Sequence, residues 1–339
     1  MKKKEITIYD IANKLGLAAS TVSRALKGHL VSKKTQKKII AAAEEMGYRS
    51  NTFASNLRMQ RTNTIGIIVP RLNSYFMSEV IAGVEKVTSE AGYNLIISQS
   101  MENADKEQRN VKTMFDNRVD GLLVSLAIGS NSLTDFGSFI ERNIPVLFFD
   151  RVPDQAHLPS ITIDNEQSAY MVTRHLIEMG AKNIIHVTGA ASVTVYRDRA
   201  IGYKKAMDEA GLVSTTDQII NSELNEKAGI EVAAIIIEKG ADGVFVANDN
   251  CAASCMNELK RRGMRIPEDL LFAGFNNDMI SRNVDPPLTT VDYPGFEMGK
   301  LAAAKILDHL SGKLDMNSSP LITMKSELVV RQSSRRNLA

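Results

Sequence analysis

Residues 7–29 read TIYDIANKLGLAASTVSRALKGH, and this stretch decides how the first sixty residues fold. Thr7-Ile8-Tyr9-Asp10 has the form of a capping box with Asp10 in place of the usual Glu. Ile8, Ile11, Ala12 and Leu15 then fall at helical spacing, which predicts a helix over about residues 8 to 15. Gly16 is its stop, and Thr21, Val22, Ala25 and Leu26 predict a second short helix with Val22, Ala25 and Leu26 inward. Two short helices across a tight Gly turn make a helix-turn-helix. Where the second helix begins stands Ala18, not one of the Ser, Thr, Asp or Asn residues that usually supply a capping oxygen. A third helix starts from Ser32 as N-cap and carries Ile39, Ile40, Ala43 and Met46 inward as far as Gly47, closing a core too small for a deep pocket.

The outward face of the second helix offers Ala19, Ser20, Ser23, Arg24 and Lys27. These small polar and basic groups can approach base edges and phosphates, with Arg24 suited to guanine O6 and N7. Lys33, Lys34, Lys37 and Lys38 add salt-dependent attraction to phosphate. Residues 1–61 hold 13 Lys and Arg against 4 Asp and Glu, a net +9, whereas the remaining 278 hold 28 against 35, a net −7. A basic head on an acidic body points to a polyanion-binding module attached to something else. The segment Thr52–Arg58 has helical propensity but little apolar surface to bury, so a partner must order it.

The run ITIYDIANKLGLAASTVSRALKG, followed by VSKKTQKKI, GYRSNTFASNLR and RTNTIGIIVP, resembles the lactose-repressor (LacI/GalR) family, and the likeness extends over nearly all of the chain. It implies a DNA-binding head over residues 1–50 and a hinge helix and linker over 51–63. In that family the hinges of two subunits fold only on the operator and each inserts a Leu into the minor groove. Leu57 matches that Leu, and Ala54 its neighbour on the same face. The resemblance extends DNA contact to Thr7, Tyr9 and Thr21, to Ser32 and Thr35, and to Tyr48, Asn51 and Arg58. Most members have a Ser where Ala18 stands, which caps the helix and touches a phosphate.

Beyond Arg61, apolar runs alternate with stretches of helix length: 65–69, 95–98, 121–126 and 146–149, then 184–188, 218–221, 243–247 and 271–275. That rhythm predicts two doubly wound α/β subdomains of the periplasmic-binding-protein type. The expected boundaries are residues 64–162 plus 291–321 for the first and 163–290 plus 322–339 for the second, with crossings near 159–165 and 285–294. Open α/β sheets bind ligands at the C-terminal ends of their strands. Those ends carry Asn73 to Phe76, Asp150 and Arg151, Asn248 and Asp249 in VANDN, and Asn276 to Asp278 in GFNND. Carboxylates, amides and a guanidinium around aromatic rings suit a polyhydroxylated ligand. Combined with the family's positions, this gives Asn73, Tyr75, Phe76, Asp150, Arg199, Asn248, Asp249, Asn276 and Tyr293 as candidate effector contacts. The family commonly has Asp in place of Asn276, and several members have Gln in place of Tyr293, so no relative's sugar carries over directly.

The helix NCAASCMNEL, with Cys251 and Cys255, is similar to a dimer-forming helix of the family, and a homodimer suits a palindromic operator on double-stranded DNA. No leucine heptads follow SELVVRQSSRRNLA, so a tetramer-forming tail is not expected. There is no G-x-G-x-x-G, P-loop or G-x-S-x-G, and SGKL at 311–314 is not a Walker motif, so no enzyme is expected. The five His are scattered, so neither metal nor cofactor is expected. The start MKKKEITIYD lacks an apolar h-region, and no run of about 18 apolar residues occurs, so a cytoplasmic protein without a membrane partner is expected. The whole points to a transcription regulator, a repressor of carbohydrate-utilisation genes, whose effector is a small sugar or sugar phosphate. The alternatives are a non-sugar metabolite such as a purine or nucleoside, or an effector that co-represses instead of inducing.

Overall fold

A computed structural model describes residues 6–26, 31–48, 61–130, 133–154, 158–212, 214–318 and 321–336. The chain divides into a head, Met1–Thr62, and a body, Asn63–Ala339.

In the head, α1 (Ile8–Leu15), α2 (Ala19–Leu26) and α3 (Lys33–Met46) close on a core of Ile11, Ala12, Val22, Ala25, Ile39, Ala42 and Ala43. The local signals work as read: the Asp10 carboxylate accepts from the Thr7 amide at 2.8 Å, and the Ser32 hydroxyl accepts from the Thr35 amide at 3.2 Å. One expectation is corrected. Ile40 is 40% exposed, because the stripe that faces α1 and α2 runs through Ile39, Ala42 and Ala43.

The body begins with β1 (Thr64–Val69), α4 (Tyr75–Glu90), β2 (Asn94–Gln99), α5 (Ala104–Asp116), β3 (Gly121–Val124), α6 (Gly137–Glu141), β4 (Val146–Phe149) and β5 (Ser160–Ile163). It continues through α7 (Asn165–Glu178), β6 (Ile184–Thr188), α8 (Thr194–Glu209), β7 (Ile219–Asn221), α9 (Glu226–Glu238), β8 (Gly243–Val246), α10 (Asp249–Arg261), β9 (Leu271–Ala273) and α11 (Ile280–Asn283). It ends with β10 (Thr290–Asp292), α12 (Gly295–Leu310), β11 (Leu321–Met324) and β12 (Glu327–Val329). Two parallel sheets result, one ordered β11-β5-β4-β3-β1-β2 and the other β7-β6-β8-β9. Their central strands read TIGIIV, GLLV, VLFF and GVFV because helices cover both faces and leave no wet side for polar residues.

The chain crosses between the sheets after β5, again along β10, and a third time along β12, which pairs antiparallel with β10. The expected boundary at residue 321 is therefore corrected. Leu321 opens β11, which pairs in parallel with β5 of the first sheet through Met324, so the last crossing starts beyond Met324. The extended run PPLTTVDYP, read as a crossing, is also a strand.

Helices α4 and α12 cross at glycines. A methyl group added at Gly83 would strike the backbone carbonyl of Phe296, and one added at Gly299 would strike that of Val80. Both obstacles are main chain, so the two helix axes approach more closely than any side chain would allow.

Candidate functional site

The head presents α2 much as its sequence suggests. The Ala18 carbonyl accepts from the amides of Thr21 at 2.9 Å and Val22 at 3.2 Å, so Ala18 is the N-cap, but it has no side-chain acceptor for the first-turn amides. Ser20 and Arg24 are exposed on α2, Ala19, Thr21 and Ser23 are half-buried, and the Arg24 Nε reaches back to the Ser20 carbonyl at 3.4 Å. Tyr9 is 60% exposed on α1. The hydroxyls of Thr7 and Ser32 are engaged in local caps, the first with Asp10 and the second with Thr35, and Tyr48 packs against the three-helix core. Lys27, Asn51, Ala54, Leu57 and Arg58, and with them most of the hinge, lie outside the described residues. Ala18→Ser is expected to raise the melting stability of the head by about 1 kcal/mol, the usual value of an N-cap oxygen. An unchanged melt would mean that the first turn is already satisfied in another way.

The body holds a cleft of about 510 Å³ at the C-terminal ends of both sheets. Asn73 and Phe76 line it from the β1 end, Asp150 from the β4 end, Arg199 from α8, Asn248 and Asn276 from the β8 and β9 ends, and Tyr293 from the crossing strand. Phe76 and Tyr293 stack with ring centroids 4.2 Å apart, and the Tyr293 hydroxyl donates to the Asp150 carboxylate at 2.9 Å. Ser125 donates to the other Asp150 oxygen at 3.2 Å. Burial pushes the Asp150 carboxyl up from its ordinary range, while Arg151 and Arg199 pull it back. Arg199 is 3% exposed; its guanidinium lies 3.5 Å over the Phe275 ring and donates to Asn165 Oδ1 at 2.9 Å and to the Ala247 carbonyl at 3.0 Å. Four lining residues have left-handed backbone, Glu102 at φ 59°, Asp150 at φ 58°, Leu224 at φ 53° and Asn276 at φ 108°. Asp and Asn tolerate that region better than most residues, and such strain gathers at binding sites.

Three expectations are corrected here. Asp249 does not line the cleft. It is fully buried, with its carboxylate accepting from the Thr290 hydroxyl and the Asp278 amide, each at 2.8 Å. The turn that opens α10 rotates it inward while its neighbour Asn248 caps the helix by accepting from the Cys251 amide at 3.1 Å. Tyr75 is 38% exposed and absent from the cleft wall, since adjacent residues on a helix diverge by about 100° and Phe76 takes the inward direction. Cys251 and Cys255 are fully buried in the core of the second sheet, with burial pushing the Cys251 thiol up to about 12, so neither thiol is available to a partner subunit.

Other lining residues were not among the candidate effector contacts, although Arg151 was named with Asp150 at the end of its strand. Arg71, Glu102, Arg151 and Tyr196 form one charged group at the cleft. Arg151 donates to Glu102 Oε2 at 2.6 Å and Oε1 at 3.1 Å and to the Tyr196 hydroxyl at 3.2 Å. Glu102 follows β2 by three residues, so the same strand-end rule applied to β2 would have found it.

Behind the cleft, Asp278 is 2% exposed, with one carboxylate oxygen unpartnered among the described residues, and burial pushes its carboxyl up to about 7 although Asn276 pulls it down. The folded chain then holds this proton more tightly than the unfolded chain. The associated stability is fully present below about pH 4 and lost as the pH rises to about 7. Urea midpoints should therefore fall between pH 5 and 7.5, and Asp278→Asn should flatten that slope; an equal slope in the variant would place the titration elsewhere.

Comparison with known proteins agrees with both parts. Residues 7–51 match the family of bacterial regulatory proteins, lacI family, and residues 173–334 match the periplasmic binding protein-like domain. Catabolite control protein A of Priestia megaterium is 30% identical over 335 residues, covering 97% of this chain and 99% of the relative. The chain therefore belongs to the LacI family of DNA-binding transcriptional regulators. Its fold is that of the lac repressor dimer solved bound to operator and the anti-inducer ONPF, at 23% identity, TM-score 0.86, 98% of this chain and 99% of that one. It is also similar to the transcriptional regulator CelR in its cellobiose complex, at 23% identity, TM-score 0.72, 97% of this chain and all of that one. These relatives are regulators and not enzymes, and no helix among the described residues is long and apolar enough to cross a membrane.

Proposed function

We propose that this regulator is a homodimeric repressor of carbohydrate-utilisation genes whose affinity for a palindromic operator is set by a small sugar bound in the body cleft. The observation that carries the sugar reading is the pairing of an aromatic stack, Phe76 on Tyr293, with convergent hydrogen-bonding groups on Asp150, Arg199, Asn248 and Asn276. Sugar rings offer apolar faces to the first and hydroxyls to the second. The cellobiose complex of a similar protein supports the same choice. A flat heteroaromatic base is the second reading, because the same stack offers it a platform and the amides could pair with its edges.

On this reading Ser20, Ser23 and Arg24 meet base edges while the α3 lysines meet phosphate. Leu57 enters the minor groove, and the effector acts by favouring one relative orientation of the two body subdomains. Thermal melts across a panel of sugars, sugar phosphates and purines, repeated with operator DNA, test it. A sugar should raise the melting temperature and change it again in the presence of DNA; stabilisation by a purine alone would favour the second reading.

A further inference from the structure

The cleft is rich in charge, yet its guanidinium groups are already engaged. Three arginines line it, Arg71, Arg151 and Arg199, and no lysine or histidine does among the described residues. Four carboxylates face them: Glu102, Asp150, Glu223 and Glu226. Arg151 spends both terminal nitrogens on Glu102, at 2.6 and 3.1 Å, and Arg71 adds its Nε to the same carboxylate at 3.3 Å. The side chains of Arg151 and Glu102 are only 11% and 12% exposed, so this pairing is not a loose surface contact. Arg199 donates to Asn165 and Ala247, covers Phe275 with one face and lies close enough to Asp150 to lower its pKa.

A bidentate fork with a second arginine beside it is the arrangement proteins use to hold a phosphate. Here the chain's own carboxylate takes that place. Glu102 and its neighbour Met101 both have left-handed backbone, at φ 59° and 54°, a costly turn for two consecutive residues that are not glycine. We propose that Glu102 is a specificity residue. It supplies the anion that Arg71 and Arg151 would otherwise take from a ligand, so the cleft accepts an uncharged polyhydroxylated ligand and rejects its phosphorylated form. This inference rests on the cleft being the effector site and narrows what that site binds. A phosphorylated ligand would have to expel a nearly buried carboxylate or meet it at close range, and desolvated like charges repel strongly.

The test uses the full-length protein and inorganic phosphate at constant ionic strength, read by calorimetric titration and thermal shift. Wild type should show no saturable phosphate binding. Glu102→Gln, which keeps the shape and removes the charge, should bind phosphate saturably, at least tenfold more tightly than the weakest binding the titration detects, and Arg151→Gln added to that variant should abolish it. Glu102→Ser serves as a second route if the first variant folds poorly. Saturable phosphate binding by wild type that is lost in Arg151→Gln overturns the inference, and so does the absence of any gain in both Glu102 variants.

Paired titrations with glucose and glucose 6-phosphate, and with ribose and ribose 5-phosphate, separate this inference from the reading beneath it. A phosphorylated member that binds wild type more tightly than its neutral partner overturns the exclusion and leaves the effector site standing. Binding by adenine alone overturns the sugar, and the exclusion is then read from adenosine against its 5′-monophosphate, where tighter binding of the monophosphate overturns it and preference for adenosine supports it.

Discussion

Arg199→Ala is expected to weaken binding of the cleft ligand by roughly ten- to 150-fold, the 1.5–3 kcal/mol that a hydrogen bond to a charged group contributes. The guanidinium does several things at once: it stacks on Phe275 and donates to Asn165 Oδ1 and to the Ala247 carbonyl at the end of β8. Truncation leaves those two acceptors without their donor, and the loss of Arg199 also removes a cation that stabilises the buried Asp150 carboxylate. Arg199→Lys separates charge from shape. A lysine keeps the cation but cannot offer a flat stacking face and a fork together, so it should recover less than half of the lost binding energy. Calorimetric titration checks both. Unchanged affinity in Arg199→Ala would reduce the residue to a structural brace.

Gly299→Val should destabilise the body by about 3 kcal/mol or more on the scale of overpacked cores. The added side chain would enter space held by the Val80 carbonyl, and main chain cannot rotate away as a flexible side chain can. Relief requires α4 and α12 to separate, which loosens the packing of Val80, Val84, Met298, Ala302 and Ala303. Gly83→Ala meets the Phe296 carbonyl from the other side and should behave alike. Gly137→Ala is the control. Nothing lies within 4 Å of its added methyl, so it should be neutral or slightly stabilising. Urea unfolding compares the three, and equal midpoints would contradict the close crossing.

The head was legible because its signals are local. Thr7 and Asp10, Gly16, Ser32 and Gly47 each settle a helix end through contacts within a few residues. Ile40 misled because Ile39 stands beside it, and apolar character alone does not say which of two neighbours faces in. The central strands of both sheets were legible as apolar runs. By contrast, β11 and β12 were not, since LITM and ELV are short and only half-buried at a sheet edge and a crossing.

The cleft followed a similar division. The strand-end rule found Asp150, Asn248 and Asn276, but it erred by one residue at Asp249, where a helical turn reverses the direction of the side chain. Cys251 and Cys255, four apart, had to share a helix face, and nothing in their spacing says that it is the inner one. The Glu102–Arg151–Tyr196 group joins three distant segments, with partners 49 and 45 positions apart in sequence, and no local pattern announces the group.

The central claim is that a small molecule in the body cleft controls how the head holds DNA. Fluorescence anisotropy of a labelled palindromic operator, titrated with full-length protein at fixed salt with and without saturating cleft ligand, tests it most directly. The account predicts that the ligand shifts operator affinity by at least about fivefold, the lower range of allosteric coupling. It also predicts that Arg199→Ala moves the ligand concentration needed for that shift upward. A ligand that saturates the cleft while operator affinity stays the same would contradict it.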